Sequence, residues 1–246
     1  MEPEDASGDG KVNATLAKAA AQLQKLVRAT VSEGIGPMTG SVAYADARLA
    51  GQSGSASGGS VTRRFSKTTS APRDPGDATE AAIRRVIRES VAAAGTAGFV
   101  TGVGGLASLP VSLPANMAGN LIINSRMVGA IAHLRGYDLD KESTEALLFL
   151  VVAGSSAQSA MSALGVKIGK EAAKGAINRV PIAVIRRINQ KAGFYLVAKY
   201  GTSRSAITLA KIVPGVGGVV GGSVDAALTR SIASVAKKVF PDLAGA

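Results

Sequence analysis

Between Arg179 and Arg204 the chain sets Arg186, Arg187, Lys191 and Lys199 among Phe194, Tyr195 and Tyr200. Two kinds of partner fit such a mixture of basic and aromatic side chains. A single-stranded nucleic acid would be held by charge on its phosphates and by stacking on the rings. An anionic membrane surface would be held by long basic stems that snorkel to the headgroups and by tyrosines anchored at the interface. Ile182, Ile185, Ile188, Phe194 and Val197 meanwhile have the spacing of an amphipathic helix packed on a core. The neighbouring stretches are apolar and uncharged, which a nucleic-acid site does not need. An anionic lipid surface is therefore the expected partner, and nucleic acid is not.

Other chemistry finds little support. His133 is the single histidine and there is no cysteine, which removes multi-histidine metal sites, thiolate ligands and cysteine nucleophiles. His133 stands in AIAHLRGYD, where an imidazole near a helix C-terminus helps to satisfy the last carbonyls. Asp138, Asp140, Glu142 and Glu145 lack the twelve-residue spacing and central glycine of a calcium loop. They read as helix caps and a solvated first turn. The glycine-rich pieces Thr101–Gly105 and Gly215–Gly222 lack the following Lys-Ser/Thr of a phosphate loop and suit bends or close backbone contact. Asp225 is isolated between apolar segments, so it should be buried, with Arg204 or Arg230 as its partner. No catalytic residue, cofactor site or metal ligand is assigned, and the protein is not expected to be an enzyme.

The elements that would position the basic region are dominated by uncharged runs. From Ser90 to Ser125 no side chain is charged over 36 residues. That exceeds the roughly 20 residues that cross a bilayer as one helix, but six glycines and two prolines interrupt it. The expected result is a helix over about 78–94, a break at Gly98–Gly105, and a short segment delimited by Pro110 and Pro114. A helix over about 115–134 would follow. This hairpin would carry Phe99, Val100, Val103, Leu106, Leu109, Val111 and Leu113 at an apolar tip that inserts into lipid or holds an acyl chain. Gly136 should end its second helix. Ala146 to Val166 is a further uncharged run, and an apolar glycine-rich segment recurs after Lys211.

Ahead of this lie a polar tail (1–10) and an amphipathic helix (11–34) with Val12, Leu16, Leu23, Leu26, Val27 and Val31 on one face and Lys11, Lys18 and Lys25 opposite. A Gly/Ser-rich linker (50–77) leads to the main domain, 78–242. No strand alternation competes. The expected fold is all-α: a compact helical bundle with Gly/Pro-broken apolar hairpins and an N-terminal amphipathic helix on a flexible linker. Net charge is +11, and Lys167 to Lys211 sets ten bases against Glu171 alone. The acidic N-terminus MEPEDASGDGK has no secretory pattern, so a cytoplasmic protein is expected, peripheral on the cytoplasmic face of the inner membrane.

Three separated segments carry a resemblance. GFVTGVGGLASLPVSLPANMAGNLIINSRMVGAIAHLRGYDLD, PIAVIRRINQKAGFYLVAKYG and IVPGVGGVVGGSVDAALTRSIASVAKKVF occur in the order found in the EcsC family of bacterial proteins, over roughly residues 80–240. The resemblance implies a helical, hydrophobic, membrane-associated protein. That family is named for a protein encoded beside an ABC transporter, a more distant similarity to the senescence domain points to lipid, and the family supplies no catalytic residues. The expected function is non-enzymatic lipid or membrane association, accessory or regulatory, with Arg186, Arg187, Lys191 and Lys199 facing anionic headgroups. The alternative is a soluble helical module that binds an acidic or membrane protein partner.

Overall fold

The computed structural model describes residues 6–53, 75–103, 109–154 and 216–243, together with positions 182, 183, 185, 186, 188 and 196; side chains at 6–13, 15, 16, 52, 53, 75, 98–103, 109–117 and 216–220 are not described. Helices α1 (Ala6–Ser32) and α2 (Ser41–Ser53) are joined by a two-stranded hairpin, β1 (Gly34–Ile35) and β2 (Met38–Thr39). Then come α3 (Pro75–Val103), α4 (Leu109–Leu134), α5 (Glu142–Ala153) and α6 (Val216–Val239). Among the described residues the protein is all-α apart from that hairpin.

Helix α4 is the centre of the packing and touches each of the other five helices. Its sequence explains this. Leu121, Met127, Val128, Ala130, Ile131 and Ala132 are buried on all sides of the helix rather than along a stripe, the pattern of a helix surrounded by others. Helix α3 buries a narrower face, Ala82, Ile83, Val86, Ser90 and Ala94, which recurs at helical spacing.

Three polar or close contacts set the directions. Glu80 at the start of α3 pairs with Arg135, just past α4, and with Lys237 near the end of α6 (3.1 Å). Farther along, Gly95 of α3 faces Gly222 and Ala226 of α6, and Asn120 of α4 donates to Asp225 of α6 at 3.3 Å. Helix α3 therefore runs antiparallel to both α4 and α6, which are parallel to one another.

The N-terminal helices share this core. Val27 and Val31 of α1 and Tyr44 and Ala45 of α2 are buried in one cluster with Ile83, Ile131, Phe149 and Phe240. From Leu23 on, the stripe expected on α1 faces inward, with Leu23 and Leu26 half-buried and Lys18 and Lys25 exposed; the side chains of Val12 and Leu16 lie outside the described ones. Helix α1 starts at Ala6, ahead of the expected boundary. Helix α2 was not anticipated; it occupies the approach to the expected linker, of which 54–74 lies outside the described residues.

The hairpin of α3 and α4 differs from its expected form. Helix α3 is not broken at Gly98 but runs through Gly98 and Gly102 to Val103. Helix α4 begins at Leu109 rather than near Ala115, so Pro110 and Pro114 lie inside its first turns. A helix start tolerates proline because its first N–H groups have no intrahelical acceptor. Pro114 forgoes one bond, to the carbonyl of Pro110. Gly136 ends α4 as expected, at φ +83°, with its N–H on the His133 carbonyl (2.9 Å) and that of Tyr137 on Ala132 (3.0 Å). This paired closure is the Schellman arrangement.

Candidate functional site

The antiparallel layer of α3, α4 and α6 brings three uncharged spans to one end of the molecule. They are 90–103 of α3, 109–125 of α4 and 216–224 of α6. At 1.5 Å per residue the first two arms are about 21 and 25 Å long. Each span stops where a charged residue appears: Glu89 on α3, Arg126 on α4 and Asp225 on α6.

Glu89 and Arg126 belong to one cluster at the junction of α2, α3 and α4. Arg48 of α2 donates to Glu89 Oε2 through Nε (2.9 Å) and Nη2 (2.7 Å), and Tyr44 donates its hydroxyl to the same oxygen at 3.0 Å. Arg85, one turn before Glu89, donates to Oε1 at 2.9 Å. Burial disfavours ionisation of Glu89, but the bonds from Arg48, Arg85 and Tyr44 outweigh it and hold the carboxyl below its ordinary range. Burial, then the bond to Glu89, pushes the Tyr44 hydroxyl up.

The Tyr44 ring carries two guanidinium groups, Arg48 at 4.0 Å and Arg126 at 4.1 Å from its centroid. Arg126 is half-buried and has no carboxylate within ion-pair distance among the described residues. Burial is the chief cause that lowers its pKa; Tyr44 and Glu89 oppose the shift and Arg48 adds to it. Two arginines thus hold one carboxylate, and a third shares the Tyr44 ring with one of them.

The sequence pattern of the EcsC protein family matches residues 73–241. The chain belongs to that family. No curated protein and no solved structure matches it. The EcsC match spans α3 to α6 and stops short of α1 and α2. The cluster straddles its edge: Arg85, Glu89 and Arg126 lie within the EcsC region, whereas Tyr44 and Arg48 come from the N-terminal helices.

The site residues expected from sequence fare unevenly. Phe99, Val100 and Val103 lie in the last turns of α3, and Leu109, Val111 and Leu113 in the first turns of α4, so both sides of the expected tip belong to helix ends. Leu106 lies outside the described residues, as do Arg187, Lys191 and Lys199. Arg186 is helical and exposed, while Ile185, Ile188 and Leu196 join the core and Ile182 is 53% exposed. The described positions of the basic segment therefore include buried apolar side chains and one outward cation.

Asp225 is buried, as expected, and the Asn120 amide is one of its partners. Arg230, named as a possible cation for it, is exposed, and Arg204 lies outside the described residues. The expected aspartate caps are corrected too. Lys141 is the N-cap of α5 and makes no side-chain cap, since an ammonium offers no acceptor, and Asp138 instead turns its carboxylate to the N–H of Asp140 at 3.0 Å.

The opposite end holds a cavity of about 550 Å³ between α1, α4 and α5. Val27, Val31, Leu148 and Phe149 form its apolar walls. Arg28 pairs with Glu145 at its edge, and His133 meets Asp46 at 2.9 Å. Asp138 and Asp140 also line it and leave it acidic, so it favours a cationic or neutral guest over an anion. Ser32 on its wall donates its hydroxyl to the Arg28 carbonyl at 2.9 Å. Among the described residues no group of three or more His, Asp or Glu side chains is placed to hold a metal.

Proposed function

We propose that the protein associates peripherally with membranes as a non-enzymatic accessory or regulatory factor on the cytoplasmic face. The single observation that carries this reading is the gathering of three uncharged helical spans at one end, each ending where charge begins. Arms of about 21–25 Å are long enough to enter one bilayer leaflet, whose hydrocarbon depth is about 15 Å. No described helix is long and apolar enough to cross a membrane, and insertion to one leaflet needs none. The arginines around Tyr44 and the outward Arg186 would then face headgroups, where each cation contributes about 1 kcal/mol.

The test is flotation of the full chain with vesicles of phosphatidylcholine, with and without phosphatidylglycerol, at low and high salt. Flotation is expected with the anionic vesicles, reduced by salt. Neutralising Arg186, Arg187 and Lys191 together should weaken it, and Val103→Asp with Leu109→Asp should abolish the salt-resistant part. Failure to float under every condition would sink the lipid reading and leave an acidic protein as the partner of the basic face.

A further inference from the structure

The cluster at the base of the uncharged arms carries more positive charge than the protein neutralises. We propose that Arg126 binds a phosphate group at the junction of α2, α3 and α4, with the charges of Arg48 and Arg85 adding to the field it presents. Glu89 already spends both oxygens on Arg48, Arg85 and Tyr44. The Arg126 guanidinium has no hydrogen-bond acceptor among the described residues, and its nitrogens are not sealed from solvent.

Holding this cation half-buried and in the field of Arg48 is unfavourable, as burial and repulsion from Arg48 both act against its charge. Stacking alone would not require the charge, since a neutral planar amide also lies flat on a ring. What a guanidinium adds is a rigid fork of donors matched to phosphate or carboxylate oxygens. Three arginines less one glutamate leave a charge of +2. Inorganic phosphate or a phosphate monoester carries close to two negative charges and at least three acceptor oxygens, whereas a phosphodiester or a second carboxylate would leave the site cationic. The group recognised is therefore a phosphate, from a lipid headgroup or free in solution. The headgroup form rests on the membrane reading, because the cluster sits at the level where the uncharged spans end; the free form does not.

Two arms separate these sources. In the first, inorganic phosphate and glycerol 3-phosphate are titrated into the full chain while the arginine Nε–Hε signals are followed by NMR. Arg126 is expected to shift in a saturable way, and Arg126→Gln to weaken binding about tenfold or more. Arg85→Gln, an exposed change on the same cluster, should weaken it too and guards against misfolding of the first variant. Arg84→Gln removes an equal charge from the exposed side of α3 and should change affinity less than twofold. In the second arm the same variants are floated with phosphatidylcholine vesicles containing phosphatidic acid.

Arg126-dependent effects in both arms assign the headgroup. An effect in the first arm without any flotation assigns the free ion and removes the membrane reading. Flotation that is equal in wild type, Arg126→Gln and Arg84→Gln, with no saturable shift of Arg126, would overturn the phosphate site and leave membrane association standing. Equal losses in Arg84→Gln and Arg126→Gln would also overturn it, since they would report net charge rather than a site.

Discussion

Gly129→Ala tests the contact on which the cluster depends. Helix α2 enters against α4 at Ser41, which is fully buried and donates its hydroxyl to the Arg126 carbonyl at 3.2 Å. A Cβ on Gly129 would stand 2.4 Å from Ser41 Oγ, 2.8 Å from Ser41 Cβ and 3.3 Å from Val31 Cγ1. Carbon atoms rest at about 3.5–4.0 Å, so α2 would have to withdraw by about 1 Å. Overpacking of this kind costs about 1–3 kcal/mol, and alanine in a helix interior returns about 1 kcal/mol. With contacts as short as 2.4 and 2.8 Å the overpacking falls in the upper part of that range, about 2–3 kcal/mol, so the net expectation is a loss of about 1–2 kcal/mol.

Tyr44 lies one turn along α2 from Ser41, so its ring would retreat from Arg126 as well. Urea unfolding followed by far-ultraviolet circular dichroism should show a lower midpoint with an unchanged slope. Ser41→Gly removes both offending atoms at the expense of one hydrogen bond. In the double variant it should recover most of the loss, with a coupling of about 1 kcal/mol. A Gly129→Ala protein as stable as wild type, or a double variant no better than the sum of the singles, would refute the close docking of α2.

Phe240→Ala removes a fully buried ring that meets Tyr137 edge-on at 5.0 Å, and should cost about 3–5 kcal/mol in the same assay. Glu80→Gln breaks the link from α3 to Arg135 and Lys237 and leaves a guanidinium whose side chain is only 11% exposed; a loss of about 1–3 kcal/mol is expected. Glu89 has a carboxyl pKa lowered from 4.5, so its contribution is present above the unfolded value and disappears as pH falls through the folded one. Acid titration of stability should therefore be shallower in Glu89→Gln than in wild type. The Tyr44 hydroxyl is raised from 10.0, so its contribution is complete below that value and lost as pH rises through the folded pKa; Tyr44→Phe should flatten the alkaline limb.

The parts of the fold legible in the sequence are those with local causes. Gly136 ends α4 because the position needs positive φ, and the stripe of α1 turns inward because its spacing leaves no other face to bury. Helix α2 was not legible: SVAYADARLAGQS is mostly small and polar, and its burial comes from α4 rather than from its own pattern. The continuation of α3 through Gly98 and Gly102 was not legible either, since glycine propensity predicts a break there. Two members of the arginine cluster did have a signal. Glu89 and Arg126 are the charges that bound the 36-residue uncharged run, and a hairpin must bring such bounds together. Tyr44 and Arg48 had none, because no local pattern says where α2 docks.

That docking is what makes a site of the arginines. On an isolated α3–α4 hairpin, Arg85 and Arg126 would be solvated cations whose fields decay within the Debye length of about 8 Å at physiological salt. Helix α2 places a ring against Arg126, a second guanidinium on the same ring, and a hydroxyl on Glu89. Partial burial lowers the effective dielectric, so the same charges act more strongly and on a fixed geometry. The EcsC region thus contributes the uncharged arms and the cations at their base, while the helices outside it fix how those cations are presented. A ligand that recognises the cluster would accordingly sense whether α1 and α2 are docked, and its binding would stabilise that docking by the same free energy.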